Sequence, residues 1–164
     1  MIDEIEPDLH RVLSADPLAR HLGIEWELIR PGHARAGLTV DDRLLNPVGT
    51  GHGGAVMALI DVVHAAVSNS HGTLAVAQDV HTEFLAPSRR GDRLICDGVE
   101  VHRSTRTAVY RIEVTAEPAD GGQGRLVATA LARVFRLGTP WLSADSGSVP
   151  TSSQAPTPGH AHTG

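Results

Sequence analysis

The feature that most constrains the fold is an apolar segment, residues 55–67, that directly follows the glycine-rich sequence 46–54. Only Asp61 and His64 interrupt its apolar side chains. A helix that is apolar on every side is a buried helix, so the segment predicts a long helix in the core. Because desolvating a carboxylate is costly, an Asp in such a helix has either a partner or a function.

The predicted start of this helix, at Gly53 and Gly54, is the second informative feature. The first N–H groups of a helix have no partners inside it and lie at the positive end of its dipole, where they attract negative charge. Together with the carboxylate of Asp61, this helix end supplies two of the parts that an acyl-transfer site needs.

The remaining pattern is an N-terminal helical region followed mainly by strands. Helical spacing covers about residues 3–21, and Pro17 is expected to open a short second turn through Leu18 to Leu22. Apolar alternation and turn residues predict strands on both sides of the buried helix, at about 24–29, 33–40, 73–85, 93–102, 107–116 and 124–137. This order predicts an α+β fold in which one antiparallel sheet wraps around one helix.

Residues 139–164 have a different composition, which is dominated by Thr, Ser, Pro, Gly and Ala. Such a segment cannot bury enough apolar surface to order itself. We therefore predict one folded domain over residues 1–138 and a disordered tail over residues 139–164.

Charge and cysteine content argue against several classes of function. The formal net charge of -5 and the lack of a Lys/Arg block predict that the protein does not bind nucleic acid. The single cysteine, Cys96, excludes an intrachain disulfide and indicates a reducing compartment. The acidic N-terminus is unlike a signal peptide, and no apolar run approaches the roughly 20 residues needed to span a membrane. We therefore expect a cytoplasmic protein that does not associate with membranes.

The glycine-rich loop and the helix share a distinctive spacing. Its positions are Asn46, Gly49, His52, Gly53, Gly54 and, after six further residues, Asp61. This spacing resembles the signature of hotdog-fold acyl-CoA thioesterases of the phenylacetate-degradation type, and landmarks at 22–24, 84–87 and 91–92 agree with it. The resemblance covers roughly residues 15–138. It implies an antiparallel sheet around a long central helix, hydrolysis of an acyl- or aryl-CoA thioester to the carboxylate and coenzyme A, and no metal or other cofactor.

The resemblance implies roles for the residues around the thioester carbonyl. The Gly53 N–H would donate to the oxyanion, with Gly54 assisting, and Asp61 would act either as general base on water or as nucleophile on the acyl carbon. His52 and Asn46 would orient the loop, the thioester or the water. The alternatives are that the glycines only permit a tight turn, that His52 caps the helix and that Asp61 is a structural carboxylate.

The resemblance also implies contacts for the water and for the coenzyme A arm. Some members carry Ser or Thr on the third strand to position the water; the nearest positions here hold Ala77 and Gln78, and Gln78 is the expected substitute. Segments 84–89 and 102–107 would contact coenzyme A, whose phosphates attract cations. Within these segments the candidates, which are otherwise ordinary surface residues, are Arg89, Arg103, Ser104 and Arg106.

The separation of Gly53 and Asp61 predicts a site made by two chains. They are eight residues apart on one helix, so they lie roughly 12 Å apart along its axis. Both groups must reach one carbonyl, at about 3 Å or through one water, and an Asp side chain cannot close that gap. A second chain with its helix antiparallel across a two-fold axis would bring its Asp61 to this chain's Gly53. We therefore expect a homodimer with shared active sites, and a homotetramer formed as a dimer of dimers.

Two other functions stay open on the sequence alone. A non-catalytic acyl-CoA-binding module would have the same fold, and a hotdog dehydratase would act on enoyl or hydroxyacyl thioesters. Dehydratase chemistry usually places Asp and His together on the helix and its loop, a spacing that Asp61 and His64 do not match well. A lone helix His is more often a core or interface residue, and we expect His64 to be one.

Overall fold

Two short helices open the part of the chain that the structure, a computed structural model, describes: residues 4–142. The first, α1, spans Pro7–Ser14, and the Glu6 side chain accepts hydrogen bonds from its first free N–H groups. The second, α2, spans Pro17–Leu22, and Asp16 caps it in the same way. A proline at the first helical position and an acidic cap both favour helix initiation, which explains the predicted break at Pro17.

Six strands form one antiparallel sheet in the order β1-β2-β4-β5-β6-β3. The strands are β1 (Glu25–Arg30), β2 (His33–Thr39), β3 (Thr73–Phe84), β4 (Arg93–Arg103), β5 (Thr107–Glu117) and β6 (Arg125–Pro140). Each lies where alternation of apolar residues predicts it. The sheet therefore has β1 at one edge and β3 at the other.

A single long helix, α3, spans Gly53–Asn69 and packs on one face of this sheet. Leu59, Ile60 and Val63 are fully buried against the apolar side chains of the strands. The helix comes so close to β4 that a Cβ at Gly98 would lie 2.9 Å from Cγ1 of Val63. The predicted architecture is confirmed: an α+β hotdog fold with a sheet wrapped around a central helix.

One face of α3 is not covered by its own chain, which corrects the prediction of a helix buried on all sides. Gly54, Asp61 and Ala65 are exposed, and Ala58 is half-buried. These positions recur every three or four residues, so they form one line along the helix, here called the exposed stripe. The exposed stripe cannot be predicted from hydropathy, because alanine and glycine count as apolar residues although they bury little surface.

The edge strand β3 is also poorly covered. Most of its residues are exposed on both faces of the sheet, among them the large apolar side chains of Val76 and Phe84. Within residues 4–142, β3 pairs with β6 on one side and with no strand on the other. Such an edge is a template for pairing with another chain.

The last strand and the two residues after it lie partly beyond the predicted domain boundary at residue 138. Strand β6 ends at Pro140 rather than at the predicted Leu137, and Trp141 donates its backbone N–H to the Gly72 carbonyl at 2.8 Å. Trp141 and Leu142 also pack against a small apolar cluster formed by α1 and β1. The rest of the predicted tail, residues 143–164, lies outside the described residues. None of the helices in residues 4–142 is long and apolar enough to cross a bilayer.

Candidate active site

Asn46 fixes the shape of the loop that leads into α3. Its side-chain oxygen accepts the N–H groups of Val48 and Thr50, both at 3.1 Å, and its Nδ2 donates to Thr50 Oγ1 at 2.7 Å. Gly49 in the same loop has a φ of 85°, a conformation that favours glycine. Because both polar atoms of the Asn46 side chain are used inside the loop, its geometry favours loop positioning over direct contact with the thioester.

His52 caps the N-terminus of α3. Its Nδ1 accepts the Gly54 N–H at 2.8 Å, so the remaining ring proton of the neutral imidazole lies on Nε2. This bond takes the Gly54 N–H away from the assisting role that the sequence predicts. The Gly53 N–H has no acceptor among the hydrogen bonds of residues 4–142. Of the two glycines, only Gly53 therefore presents a free donor at the positive end of the helix.

An open cleft of about 310 Å³ lies at this end of α3. Its walls are formed by Gly51, Gly53 and Val56 on one side and by Val127 and the turn 84–88 on the other. A Cβ at Gly53 would lie 3.4 Å from the Phe84 ring, an ordinary van der Waals distance, so this ring lies beside the first residue of α3. The structure thus joins the predicted oxyanion donor to most of the predicted coenzyme A segment 84–89.

A buried carboxylate holds the turn beside the cleft. Asp92 is only 3% exposed; it accepts the Arg89 N–H at 2.8 Å and forms an ion pair with Arg125, which also donates to the Pro87 carbonyl at 3.0 Å. A buried ion pair with extra hydrogen bonds fixes local geometry. The sequence indicates Asp92 only as a landmark after Gly91. Its contacts with Arg89 and Arg125 depend on the folded structure and cannot be predicted from the sequence pattern. Arg89, whose side chain is exposed, begins this fixed turn.

The back of the cleft leaves no room for a side chain at Gly51. A Cβ there would lie 2.0 Å from Ser88 Oγ, which is buried and has no hydrogen-bond partner in the described residues. We expect Gly51→Ala to lower the free energy of unfolding by about 1–3 kcal/mol, as overpacking does. Adding Ser88→Ala should recover most of that loss, since it removes the clashing atom, while Ser88→Ala alone should cost little. Urea unfolding of the wild type, the two single variants and the double variant measures these free energies. A double variant as unstable as Gly51→Ala would show that the Ser88 hydroxyl is not the cause of the loss.

Asp61 lies on the exposed stripe of α3 and does not line the cleft. Its position on the same helix as Gly53 places it about 12 Å along the axis from the free N–H. A single chain therefore does not bring the predicted base and the predicted oxyanion donor together.

Gln78 lies at an irregularity in β3. The pairing of β3 with β6 shifts register between Ala77 and Asp79, so Gln78 is the extra residue of a bulge, and its side chain is exposed. Bulges redirect side chains and are over-represented next to active sites.

The bulge lies beside the middle of α3, between two contacts that join the ends of β3 to the ends of the helix. The C-terminal end of α3 is tied to the start of β3, where Asn69 Oδ1 accepts the Ala75 N–H at 2.8 Å. Its N-terminal end lies against Phe84, at the other end of the same strand. Strand and helix therefore run antiparallel along their whole length.

Three of the predicted coenzyme A contacts lie elsewhere, in the turn between β4 and β5. Arg103 pairs with Glu100 at 3.2 Å, and Ser104 Oγ closes the turn by donating to the Thr107 carbonyl at 3.0 Å. Arg106 is exposed in the same turn. None of Arg103, Ser104 and Arg106 lines the cleft of their own chain.

His64 is a core residue, as the sequence leads us to expect. It is 1% exposed, and its ring centroid lies 5.5 Å from that of Tyr110. Burial lowers the pKa of His64 below its ordinary value of 6.5, and the carboxylates of Asp61 and Asp79 act in the opposite direction. The folded protein therefore favours a neutral imidazole at this position.

We expect acid to destabilise the fold through His64. Because the pKa of His64 is lowered in the folded state, the unfolded chain takes up this proton at a higher pH than the folded protein does. The contribution of the neutral ring to the free energy of unfolding is therefore full above pH 6.5 and is lost as the pH falls below that value. A His64→Phe variant keeps the ring contact with Tyr110 but lacks the proton site. Urea unfolding at about pH 7.5 and about pH 5.5 should show a larger loss for the wild type than for the variant. An equal loss of unfolding free energy in the two proteins would show that His64 does not cause the acid destabilisation.

Comparison with known proteins identifies the family of this chain. The family model described as the thioesterase superfamily matches residues 48–122. Acyl-coenzyme A thioesterase PaaI of Escherichia coli K12 is 32% identical over 129 residues, which cover 79% of this chain and 89% of the relative. The structure of the E. coli PaaI protein from the phenylacetic acid degradation operon superposes with a TM-score of 0.74 at 30% identity, covering 82% of this chain and 94% of that one.

A second solved structure was obtained with a ligand. It is a hypothetical thioesterase with coenzyme A from Streptococcus pneumoniae TIGR4, with a TM-score of 0.65 and 28% identity over 71% of this chain and 90% of that one. The sequence relationship and the structural similarity to PaaI both extend over most of both chains. This chain, with its hotdog fold, belongs to the thioesterase superfamily.

Proposed function

We propose that this protein is an acyl-CoA thioesterase that hydrolyses a coenzyme A thioester to the free carboxylate and the coenzyme A thiol. The observation that carries the proposal is the free Gly53 N–H at the N-terminus of α3, facing an open cleft. Attack on a thioester places negative charge on the carbonyl oxygen, and a preorganised N–H donor stabilises that charge by roughly 2.7–4 kcal/mol. The dipole of α3 adds to the effect because it points its positive end at the same place.

Asp61 supplies the second group of the proposed reaction. As general base it would take a proton from water as the water attacks the carbonyl carbon; as nucleophile it would form an acyl anhydride that water then cleaves. Either route ends with the carboxylate product and the protonated thiol. The position of the Gln78 bulge beside the middle of α3 supports a role for its amide in holding the attacking water.

The proposed site is completed by a second copy of the chain. The exposed stripe of α3 and the unpaired edge of β3 are two adjacent surfaces that a two-fold partner would cover. With the helices antiparallel, Asp61 of the partner subunit would meet the cleft at Gly53. Exposed apolar side chains on β3 and β6, among them Val76, Leu131 and Phe135, support a further contact between two such dimers.

The coenzyme A arm would then be held from two chains. Arg89 begins the fixed turn beside the cleft, where a guanidinium can reach a phosphate. Because Arg103, Ser104 and Arg106 do not line the cleft of their own chain, we propose that they approach the same coenzyme A from the second copy. The lone Cys96, which is buried, is consistent with the further proposal that the protein acts in the cytoplasm.

A panel of benzoyl-CoA, phenylacetyl-CoA and fatty acyl-CoA substrates with a thiol reagent tests the proposed reaction. Thiol release from any member of the panel supports it. Binding without thiol release would instead favour a non-catalytic acyl-CoA-binding module. The dehydratase alternative is disfavoured because His64 is buried in the core and cannot form an accessible acid-base pair with Asp61.

A further inference from the structure

Glu100, near the end of β4, carries a carboxylate that is largely shielded from solvent. Its side chain is 19% exposed, and its Oε2 accepts a hydrogen bond from His71 Nε2 at 2.9 Å. The backbone N–H of Glu100 donates to the carbonyl of Gly32, in the turn between β1 and β2, at 2.8 Å. Glu100 is therefore fixed both at its backbone and at one carboxylate oxygen.

The residue opposite Glu100 on the neighbouring strand is Tyr110, which is fully buried. Directly paired residues of two strands place their side chains on the same face of the sheet. Burial and, after it, the charge of Glu100 raise the pKa of Tyr110, so its hydroxyl keeps its proton. Because a buried ring and a neutral hydroxyl lie on this side of Glu100, water screens the ion pairs of its carboxylate less than it screens ordinary surface pairs.

The second oxygen of Glu100 binds Arg103, the last residue of β4. Arg103 Nε donates to Glu100 Oε1 at 3.2 Å, and the terminal nitrogens of Arg103 make no hydrogen bond within residues 4–142. In a regular strand two residues three positions apart lie on opposite faces. Here the pairing of β4 with β5 shifts register between Glu100 and His102, and such an irregularity redirects the following side chains. The shift therefore allows Glu100 and Arg103 to meet on one face.

The backbone of the turn after Arg103 is fixed separately, by β6. Arg136 donates from Nη1 to the Ser104 carbonyl at 2.6 Å, and its backbone N–H donates to the Arg106 carbonyl at 2.7 Å. Neither bond involves the side chain of Arg103. Among the described residues, the Glu100 carboxylate is thus the group that orients this guanidinium, and it leaves the two terminal NH2 groups available for an anion.

We propose that Glu100 is a positioning residue that holds the Arg103 guanidinium ready for a phosphate of coenzyme A, and that His71 in turn holds Glu100. The inference rests on the proposed thioesterase function and on the proposed approach of Arg103 to the coenzyme A bound by the second copy. An arginine that is already oriented loses less side-chain freedom when the substrate binds. The contribution of Glu100 should therefore appear in KM for substrates that carry phosphates, and not in kcat.

Two substrates test the proposal: the acyl-CoA that the wild type hydrolyses best, and the matching acyl-pantetheine, which has the same thioester and amide arm but no phosphate. Glu100→Gln keeps the size of the side chain and removes its charge. We expect it to raise KM for the acyl-CoA about three- to tenfold, the effect of having to order one long side chain on binding. Its kcat, and both constants for the acyl-pantetheine, should stay unchanged. Glu113→Gln is the matched control, because Glu113 is exposed on β5 and only approaches Arg111 at 4.0 Å.

Variants of the two partners show whether the effect passes through these contacts. Arg103→Met should raise KM for the acyl-CoA at least as much as Glu100→Gln, and adding Glu100→Gln to it should have little further effect. His71→Leu should raise the same KM by a smaller factor, because it releases the other carboxylate oxygen. His71→Gln, which can present a donor near the position of Nε2, should behave like the wild type. Urea unfolding confirms that each variant is folded.

Several results would overturn the positioning role. One is an equal rise in KM for both substrates, which would indicate a general loss of structure. Tighter binding of the acyl-CoA by Glu100→Gln would mean that the carboxylate only repels the phosphates. Additive effects of the Glu100 and Arg103 substitutions, or an unchanged KM in Arg103→Met, would also overturn it. Each of these leaves thiol release by the wild type intact, whereas a wild type that releases thiol from no acyl-CoA would overturn the proposed function itself.

Discussion

An Asp61→Asn variant should hydrolyse its best acyl-CoA substrate at least about 100-fold more slowly than the wild type, because it loses the general base or nucleophile. The fold should be unaffected, since Asp61 is exposed and makes no hydrogen bond or ion pair within residues 4–142. The loss should fall mainly on kcat, because Asn keeps the size of the side chain and the neighbouring contacts. Steady-state thiol release measures it.

The matched control for this change is Asp79→Asn. Asp79 is another exposed carboxylate, but it lies on β3 and pairs with Arg133 at 2.6 Å. Its loss should change the rate by a small factor only. A folded Asp61→Asn protein that releases thiol at close to the wild-type rate would remove Asp61 from the mechanism.

Much of this fold is readable in the sequence because its elements follow simple periodicities. The apolar run that is interrupted only by Asp61 and His64 predicts α3, and the alternation of apolar and polar residues predicts the strands. The burial of His64 agrees with the expectation that a single histidine in an apolar helix is a core or interface residue. Spacing within the loop was enough to place Gly53 at the start of the helix.

Features that depend on close packing or on another chain were not readable. The exposed stripe reads as apolar because alanine and glycine cannot be told from core residues by hydropathy. Whether His52 contacts the substrate or caps α3 depends on the direction of one imidazole ring, and the structure shows the cap. The packing of Trp141 against α1 and β1 was missed because the polar composition around it indicated a tail.

Removing the oxyanion donor should have the second large effect. Gly53 is the first residue of α3, the position at which proline is best tolerated, and His52 before it has the extended conformation that a following proline requires, with φ -70° and ψ 131°. Gly53→Pro should therefore fold while lacking the N–H group. Loss of one oxyanion donor typically costs about 100- to 1,000-fold in kcat, and we expect a reduction in that range.

Mixing the two inactive variants, Asp61→Asn and Gly53→Pro, tests the central claim that each active site is built by two chains. The two proteins are combined in equal amounts, unfolded and refolded together to exchange subunits, with each variant alone treated identically and its dimerisation confirmed. In a shared site, a heterodimer holds one site with both groups intact and one with neither. Random pairing makes about half of the dimers heterodimers, so the mixture should recover about a quarter of the wild-type rate. If the mixture is no more active than the two variants alone although heterodimers have formed, each chain builds its own site and the two-chain account is wrong.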